Sequence, residues 1–451
     1  MRAELAAAAA ASSASFTDIR FTRRRGVRIL RQRNRLESVA ERVSDQGLVR
    51  CLSPGFAWGS CGFTQVNDLA GAVRLAHESS LALPGRPLAL QPLPAREAEA
   101  LCPAEAAPSA VPLARKLELT ELVAEALLAA DRRIVDARVQ YTDEMVETVL
   151  VTSEGVALVE QRPEFTLALL CAAEESGTVE RVVDSIAART WAEVEAWAGN
   201  LKATAERAVL MLYATPVRAG RYPVVLGNRA AGLLAHRAVG HLCQADGDRD
   251  HPAPLPLGTR LGSESLTVED DPTVIGMRGT RSFDHEGLQP RKTTLVQNGV
   301  VVGHLHTRSS AAAAGAAPTG SAFGGGGDVP RARLSNTYLT AGKAAPSDLM
   351  DGIEAGVLIE DVVSASLDQH RVGLRAGFAR MIRQGQPAEP VKGVTLADNI
   401  LALLGQIDLV AGDFQWDGTA SWCDRLGAGR APVSTGAPHV RLVDVAVGEP
   451  A

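Results

Sequence analysis

No window of this chain approaches 18 consecutive strongly apolar residues, the length at which a membrane-spanning helix becomes the natural reading, so no membrane partner is expected. Cysteine is scattered: Cys51, Cys61, Cys102, Cys171, Cys243 and Cys423 form no CxxC pair. That pattern argues against a disulfide framework and for reduced thiols in a cytoplasmic protein. An excess of positive charge is also missing. The formal net charge is −6, so the balance favours neither a polyanionic partner nor nucleic acid. The only basic run is eight arginines from Arg20 to Arg35; interleaved with Phe21, Val27, Ile29 and Leu30, it reads as the solvated face of a strand. The glycines Gly324 to Gly327 lack the Lys-Ser/Thr and strand-to-helix context of a phosphate cradle. No serine sits in a nucleophile-elbow context, and no short-period repeat is present. What is there, at 451 residues with 46% hydrophobic and 22% charged, is the composition of a soluble globular protein of two or three domains.

The opening Met1-Arg2-Ala3-Glu4-Leu5, followed by six alanines, has too weak an apolar segment for a secretion signal, and residues 1–15 read as a disordered leader. From Phe16 to Leu52 apolar and polar residues alternate with breaks at Gly26 and Gly47, as in a set of antiparallel hairpins. Asn67 is placed to cap a helix with Leu69, Ala72, Val73 and Ala76 on its apolar face. The proline-rich stretch 84–112 reads as a surface loop. Leu119, Leu122, Val123, Ala126, Leu127 and Ala130 repeat at helical spacing. Tyr141 to Leu170 alternates again around the turn Ser153-Glu154-Gly155, and one long helix is expected from Trp191 to Tyr213. A first domain thus spans 16–215 and a second 216–451. In the second, Asn298-Gly299 signals a hairpin and Ser309 to Ala317 a helix. The mixed order of strands and helices indicates an α+β fold.

The chemistry centres on His236-Arg237-Ala238-Val239-Gly240-His241. On a regular helix, residues i and i+5 point about 140° apart, which would splay the two imidazoles. A π-turn brings them onto one side, and Gly240 makes such a distortion cheaper. Spacing alone leaves two readings open: a metal-binding pair, or two non-ligating histidines. In helical zinc peptidases a glutamate follows the first histidine and takes a proton from the attacking water. Arg237 stands there instead, and a guanidinium has no lone pair to accept one. Asp246 is the one nearby acid available as a replacement base. His304 and His306, two apart on an expected strand, fit a half-exposed face better than a site. Asp284-His285-Glu286 fits a turn, with Glu286 as a carboxylate that can approach the metal.

The segment Gly227 to Asp246 resembles the TldD/PmbA family of metallopeptidase-like proteins, whose motif reads H-E-x-x-G-H and then x-x-E-x-D. Here it reads His236-Arg237-x-x-Gly240-His241, then Gln244 and Asp246, so both glutamates are gone. The resemblance continues through Arg278-Gly279, Asp284-His285-Glu286-Gly287, Leu295 to Val300, Pro318-Thr319-Gly320, Arg333 to Leu339, Pro390 to Gly393 and Cys423. In the amino-terminal half it runs through Asp18-Ile19-Arg20, Leu36 to Val39, Trp58-Gly59 and Asn67 to Leu69. It is closest to the TldD-type subunit that carries the metal motif. The resemblance implies metal ligands at His236, His241 and Cys423, a set with one open position that suits zinc. It also implies a heterodimer with a homologous subunit and peptide or peptide-like substrates. A further departure is Ile359 to Ser364, where the family carries a glycine-rich stretch beside its cleft. Two functions follow as expectations: a subunit with a degenerate motif paired with a competent homologue, or a metal-dependent enzyme with altered, non-proteolytic chemistry.

Overall fold

The computed structural model describes residues 1–55, 57–82, 90–246, 253–368, 370–425 and 429–448. In the first half, strict alternation builds a curved sheet: Val139, Tyr141, Val149 and Val151 on one strand and Phe165, Leu167, Leu169 and Cys171 on the next all turn into the core, as the period of two requires. The strands are β1 (Phe16–Gln32), β2 (Arg35–Leu52), β3 (Trp58–Phe63), β4 (Arg96–Ala100), β5 (Ile134–Thr152), β6 (Val156–Glu175) and β7 (Thr178–Ala188). They lie in the order β3-β2-β1-β5-β6-β4, with β7 also on β6. The fold class is α+β with antiparallel sheets, as expected.

Several local expectations are corrected. The leader is not disordered: it forms helix α1 (Arg2–Ala10), with Leu5 and Ala9 fully buried against Ile19, Phe21 and Val151. Gly26 and Gly47 are not breaks but lie inside β1 and β2, where a Cβ on Gly26 would meet the Asp143 carbonyl oxygen at 1.8 Å. The chain turns instead at Arg33-Asn34. Helix α2 (Leu69–Leu81) does bury Leu69, Ala72 and Ala76, but Asn67 belongs to a preceding 3-10 turn and makes no cap. Of the proline-rich stretch, 84–89 lies outside the described residues. The rest includes β4, which runs parallel to β6, and then leads into α3 (Leu113–Ala130). The long helix divides at Gly199-Asn200 into α4 (Trp191–Ala198) and α5 (Lys202–Met211). The arginine run is not uniformly solvated either: Arg20 and Arg31 are buried, and Arg23 and Arg25 both reach Asp45.

The second half stacks a six-stranded sheet and an eight-stranded sheet about one large aliphatic core. The apolar strand Gly220–Leu226 runs between the strands Ala355–Asp368 and Val440–Val447 and delivers the chain into α6 (Asn228–Leu234). Gly232 lets α6 sit close to the strand Ser434–Ala437, since a Cβ there would lie 3.1 Å from Gly436 N. The Asn298-Gly299 hairpin is present, with both residues at positive φ. The alanine-rich helix is Arg308–Ala314. Among the described residues no helix is long and apolar enough to cross a membrane.

Candidate metal centre

Beyond α6 the helix changes pitch. Ala235–Val239 is a π-turn and Gly240–Cys243 a 3-10 turn, which turns the two imidazoles toward each other with ring centres 5.1 Å apart. Gly240 has ordinary helical φ here, so its role is space: a Cβ would come within 2.8 Å of both Leu334 methyls. Cys423 arrives from the strand Trp422–Arg425, 182 residues away, with Sγ 3.6 Å from His241 Nε2. One donor atom from each of His236, His241 and Cys423 lies within 4.8 Å of the others, and all three residues are buried.

These residues fit a four-coordinate zinc-type ion, whose ligand atoms stand about 3.3–3.8 Å apart. The tautomer fits as well. Thr337 Oγ1 donates to Asp270 Oδ1 at 2.9 Å, so His236 Nδ1, 3.2 Å away, donates to that oxygen. This leaves the lone pair on Nε2, and Nε2 is buried with no aligned hydrogen-bond partner. An outer partner that fixes a ligand imidazole is the usual companion of a metal histidine. Burial, partly offset by the Cys423 thiol, pushes the His236 pKa down to about 4. Burial alone would raise the Cys423 thiol, but the facing His236 ring, Arg333 and Arg237 bring it down to about 6. Neutral imidazole and thiolate are the protonation states a metal needs.

Arg237 is half-buried and places Nη1 3.4 Å from His241 Nε2. A guanidinium only donates, so this contact uses the lone pair that would bind the ion. Asp246, the expected replacement base, is outside the ligand cluster; its Oδ2 accepts the Ala332 N–H at 2.8 Å. Gln244 is buried with neither side-chain amide atom hydrogen-bonded. Glu286 does not join the candidate ligands: it pairs with Arg50 at 3.3 Å and accepts the Arg308 N–H, while Asp284 ties the turn together through the Glu286, Leu288 and Ala322 N–H groups. His304 and His306 flank a single bridge residue rather than lying in a strand. They bind the Leu255 carbonyl and Ser310 Oγ.

A cleft of about 320 Å³ opens beside the centre, bordered by Arg229, His236, Arg237, Val363, Trp422 and Thr435. The strand Ala355–Asp368 pairs with Gly220–Leu226 only through Val357–Ile359. Beyond that point the other ladder, to Arg371–Arg383, is bulged, and Val363 is exposed at the cleft. Sequence reading missed Thr337 and Asp270, which nothing in their spacing relates to His236, and also Trp422 and Arg229.

The candidate centre is thus a broken helix presenting two imidazoles to a cysteine sulfur, inside an α+β frame of long antiparallel strands. Sequence models described as the PmbA/TldA metallopeptidase central domain and C-terminal domain match residues 106–212 and 219–449. A metalloprotease of Synechocystis sp. is 30% identical, the alignment covering 97% of this chain and 95% of that one. A metalloprotease TldD homolog of Haemophilus influenzae is 26% identical over 74% of this chain and 72% of its own. A Saccharolobus solfataricus relative named a zinc metalloprotease TldD homolog is 23% identical over 69% and 70%. Among solved structures, TldE from Thermococcus kodakarensis shares the fold with a TM-score of 0.75 at 17% identity, covering 96% of this chain and 97% of that one. The chain belongs to the TldD/PmbA family of metallopeptidase-like proteins.

Proposed function

We propose that this chain is a zinc-binding subunit whose own centre lacks a general base, and that it acts on peptides or peptide-like substrates in a heterodimer with a homologous subunit. The observation that carries this reading is Arg237, which follows the first ligand and sets Nη1 3.4 Å from His241 Nε2. His236, His241 and Cys423 would hold the ion, which when bound polarises a carbonyl as a Lewis acid. Thr337 fixes the His236 ring. Arg237 cannot take up a proton, and Asp246 is committed to a backbone N–H. The partly unpaired edge at Val362 to Ala365 supports an extended substrate lying along the strand. The partner is supported by the outer part of β2: only Gly47–Leu52 pairs with β3, and Leu36, Val39 and Val43 are exposed on the remainder.

The test is co-expression with a homologous subunit that carries an intact H-E-x-x-x-H, followed by metal analysis of each chain. Cys423→Ser and His241→Ala should each lower zinc content here. The isolated chain should hydrolyse peptides about 10²- to 10⁴-fold more slowly than a base-bearing relative. Chelator-sensitive cleavage by the isolated chain at a relative's rate would overturn the reading, as would undiminished zinc in both variants. A second reading, altered chemistry at this chain's own centre, is favoured by one observation. Among the described residues Arg237 has no carboxylate within ion-pair distance, and it borders the cleft, so its planar fork is available to a substrate carboxylate or phosphate. If Arg237→Glu changes the activity of the heterodimer, this second reading gains. If activity is unchanged, the first stands.

A further inference from the structure

A second cavity, of about 340 Å³, lies where β6 meets the loops of the second half, and Arg162, Arg189 and Arg281 line it. Its charges do not balance. Among the described residues Glu160 is the only lining carboxylate, and its Oε1 already accepts the Ser282 N–H at 2.5 Å. Arg281 is 5% exposed. Its Nε donates to the Gly279 carbonyl at 3.2 Å and Nη2 to the Leu334 carbonyl at 3.3 Å, while Nη1 is buried with no partner. Arg189 donates to the carbonyls of Pro163, Met277, Arg278 and Thr280 and, among the described residues, meets no carboxylate within ion-pair distance. Arg162 shares Glu160 and Glu164 through long contacts of 3.5 and 3.4 Å, and its Nε is buried and unpartnered. Glu164 is divided further, with Arg278 at 3.9 Å.

We propose that this cavity is a binding site for a small oxyanion, a phosphate or a carboxylate group on a metabolite, separate from the metal cleft. Three guanidiniums whose nearest counter-charges are Glu160, already committed to the Ser282 N–H, and Glu164, shared with Arg278, form a fork array of the kind that takes planar or tetrahedral oxyanions. Burying like charges without counter-charge is costly, and an anion removes that cost. Burial, and after it the neighbouring Arg162, hold Arg189 and Arg281 down to about 10 although Glu160 lies near both, Glu164 near Arg189 and Asp270 near Arg281. The site is independent of the zinc reading, so it should persist in chelator-stripped protein.

The experiment is calorimetric titration of the full chain, exchanged into chloride buffer, with inorganic phosphate and separately with citrate. Saturable binding near one equivalent is expected, and the stronger of the two probes identifies the oxyanion class. Arg162→Gln should weaken binding by about 10- to 100-fold, the usual worth of one charge-assisted contact. Arg281→Lys, which keeps the charge and removes the fork, should weaken it less. Arg162→Gln is the primary variant because Arg162 holds no backbone carbonyl, and circular dichroism checks that both variants fold. Absence of saturable binding by either probe would overturn the proposal, as would unchanged affinity in folded Arg162→Gln protein.

Discussion

Nη1 of Arg237 stands 3.4 Å from Nε2 of His241, so an ion can use that nitrogen only after the guanidinium has moved away. Arg237→Ala removes this competition, and its effect can be estimated. The contact is long for a hydrogen bond, which puts its net worth near the low end of about 0.5–1.5 kcal/mol. Repulsion between the guanidinium and a dication adds to this. A flexible side chain at an open cleft swings into solvent and keeps only part of that repulsion, about 0.5–1.5 kcal/mol. Together these give about 1–2 kcal/mol, which is about 5- to 30-fold tighter zinc binding in Arg237→Ala. Competition against a chromophoric chelator at fixed pH and ionic strength measures it. Raised salt should narrow the difference between the two proteins, because part of it is screened charge repulsion. If Arg237→Ala binds zinc no more tightly than the parent, Arg237 does not compete for the centre, and the reasoning fails.

Thr337→Val should move zinc affinity the other way, about 10- to 100-fold weaker, because the His236 ring loses the oxygen that fixes its tautomer; the same chelator competition reads it. Gly279→Ala should destabilise the chain by about 3 kcal/mol in denaturant unfolding, since a Cβ there would lie 2.4 Å from the Ser335 carbonyl group. It should also reduce zinc content by displacing the strand that carries Thr337. In metal-free protein, His236 is neutral when folded, with its pKa near 4, and titrates near 6.5 when unfolded. The unfolded chain therefore binds the extra proton between these values, so stability falls as pH drops from about 6.5 to about 4, by at most about 3 kcal/mol. His236→Gln should flatten that part of the pH–stability curve relative to the parent; parallel curves would refute the assignment.

The parts of the fold legible in the sequence are those set by neighbours along the chain. The Asn298-Gly299 hairpin follows from two residues that tolerate positive φ, and the β5–β6 pair from alternation around Ser153-Glu154-Gly155. The π-turn is legible as one of two readings of the five-residue histidine spacing, whereas Gly240, just beyond the turn at ordinary helical φ, matters through the space it leaves for Leu334. Misreadings came where composition hid the packing. The alanine leader resembles low-complexity chain, yet alanine is the best helix former, and its small side chains let α1 lie flat on the sheet while Leu5 and Ala9 seal the contact. Gly26 resembles a break because the Asp143 carbonyl that excludes any larger residue there belongs to a strand more than a hundred residues later. Cys423 could be joined to the histidines only through family resemblance. Asp270 and the arginines of the second cavity carry no sequence signal, and Thr337, though inside the run Arg333 to Leu339, has nothing there that ties it to His236, because each matters through a neighbour that only the tertiary fold supplies.

Arg237 shows why a motif should be read as a charge balance as well as a set of ligands. Before any ion binds, burial holds His236 toward its neutral form and the facing ring with Arg333 and Arg237 draws the Cys423 thiol toward thiolate, so the centre tends to negative charge. A glutamate in place of Arg237 would bring a second negative charge into a buried site, to be offset only when a dication arrives. Arg237 instead adds to the counter-charge that Arg333 already supplies from within the chain. On the proposed reading, Arg237 leaves the centre without a proton acceptor, opposes an incoming cation and adds positive charge to the metal-free centre. These three effects have separable readouts in peptide turnover, zinc affinity and metal-free stability. Arg237→Glu is expected to strengthen metal dependence while weakening the metal-free fold, as read by denaturant unfolding with and without zinc. If the Arg237→Glu protein instead gained stability without metal, this account of the charge balance would be contradicted.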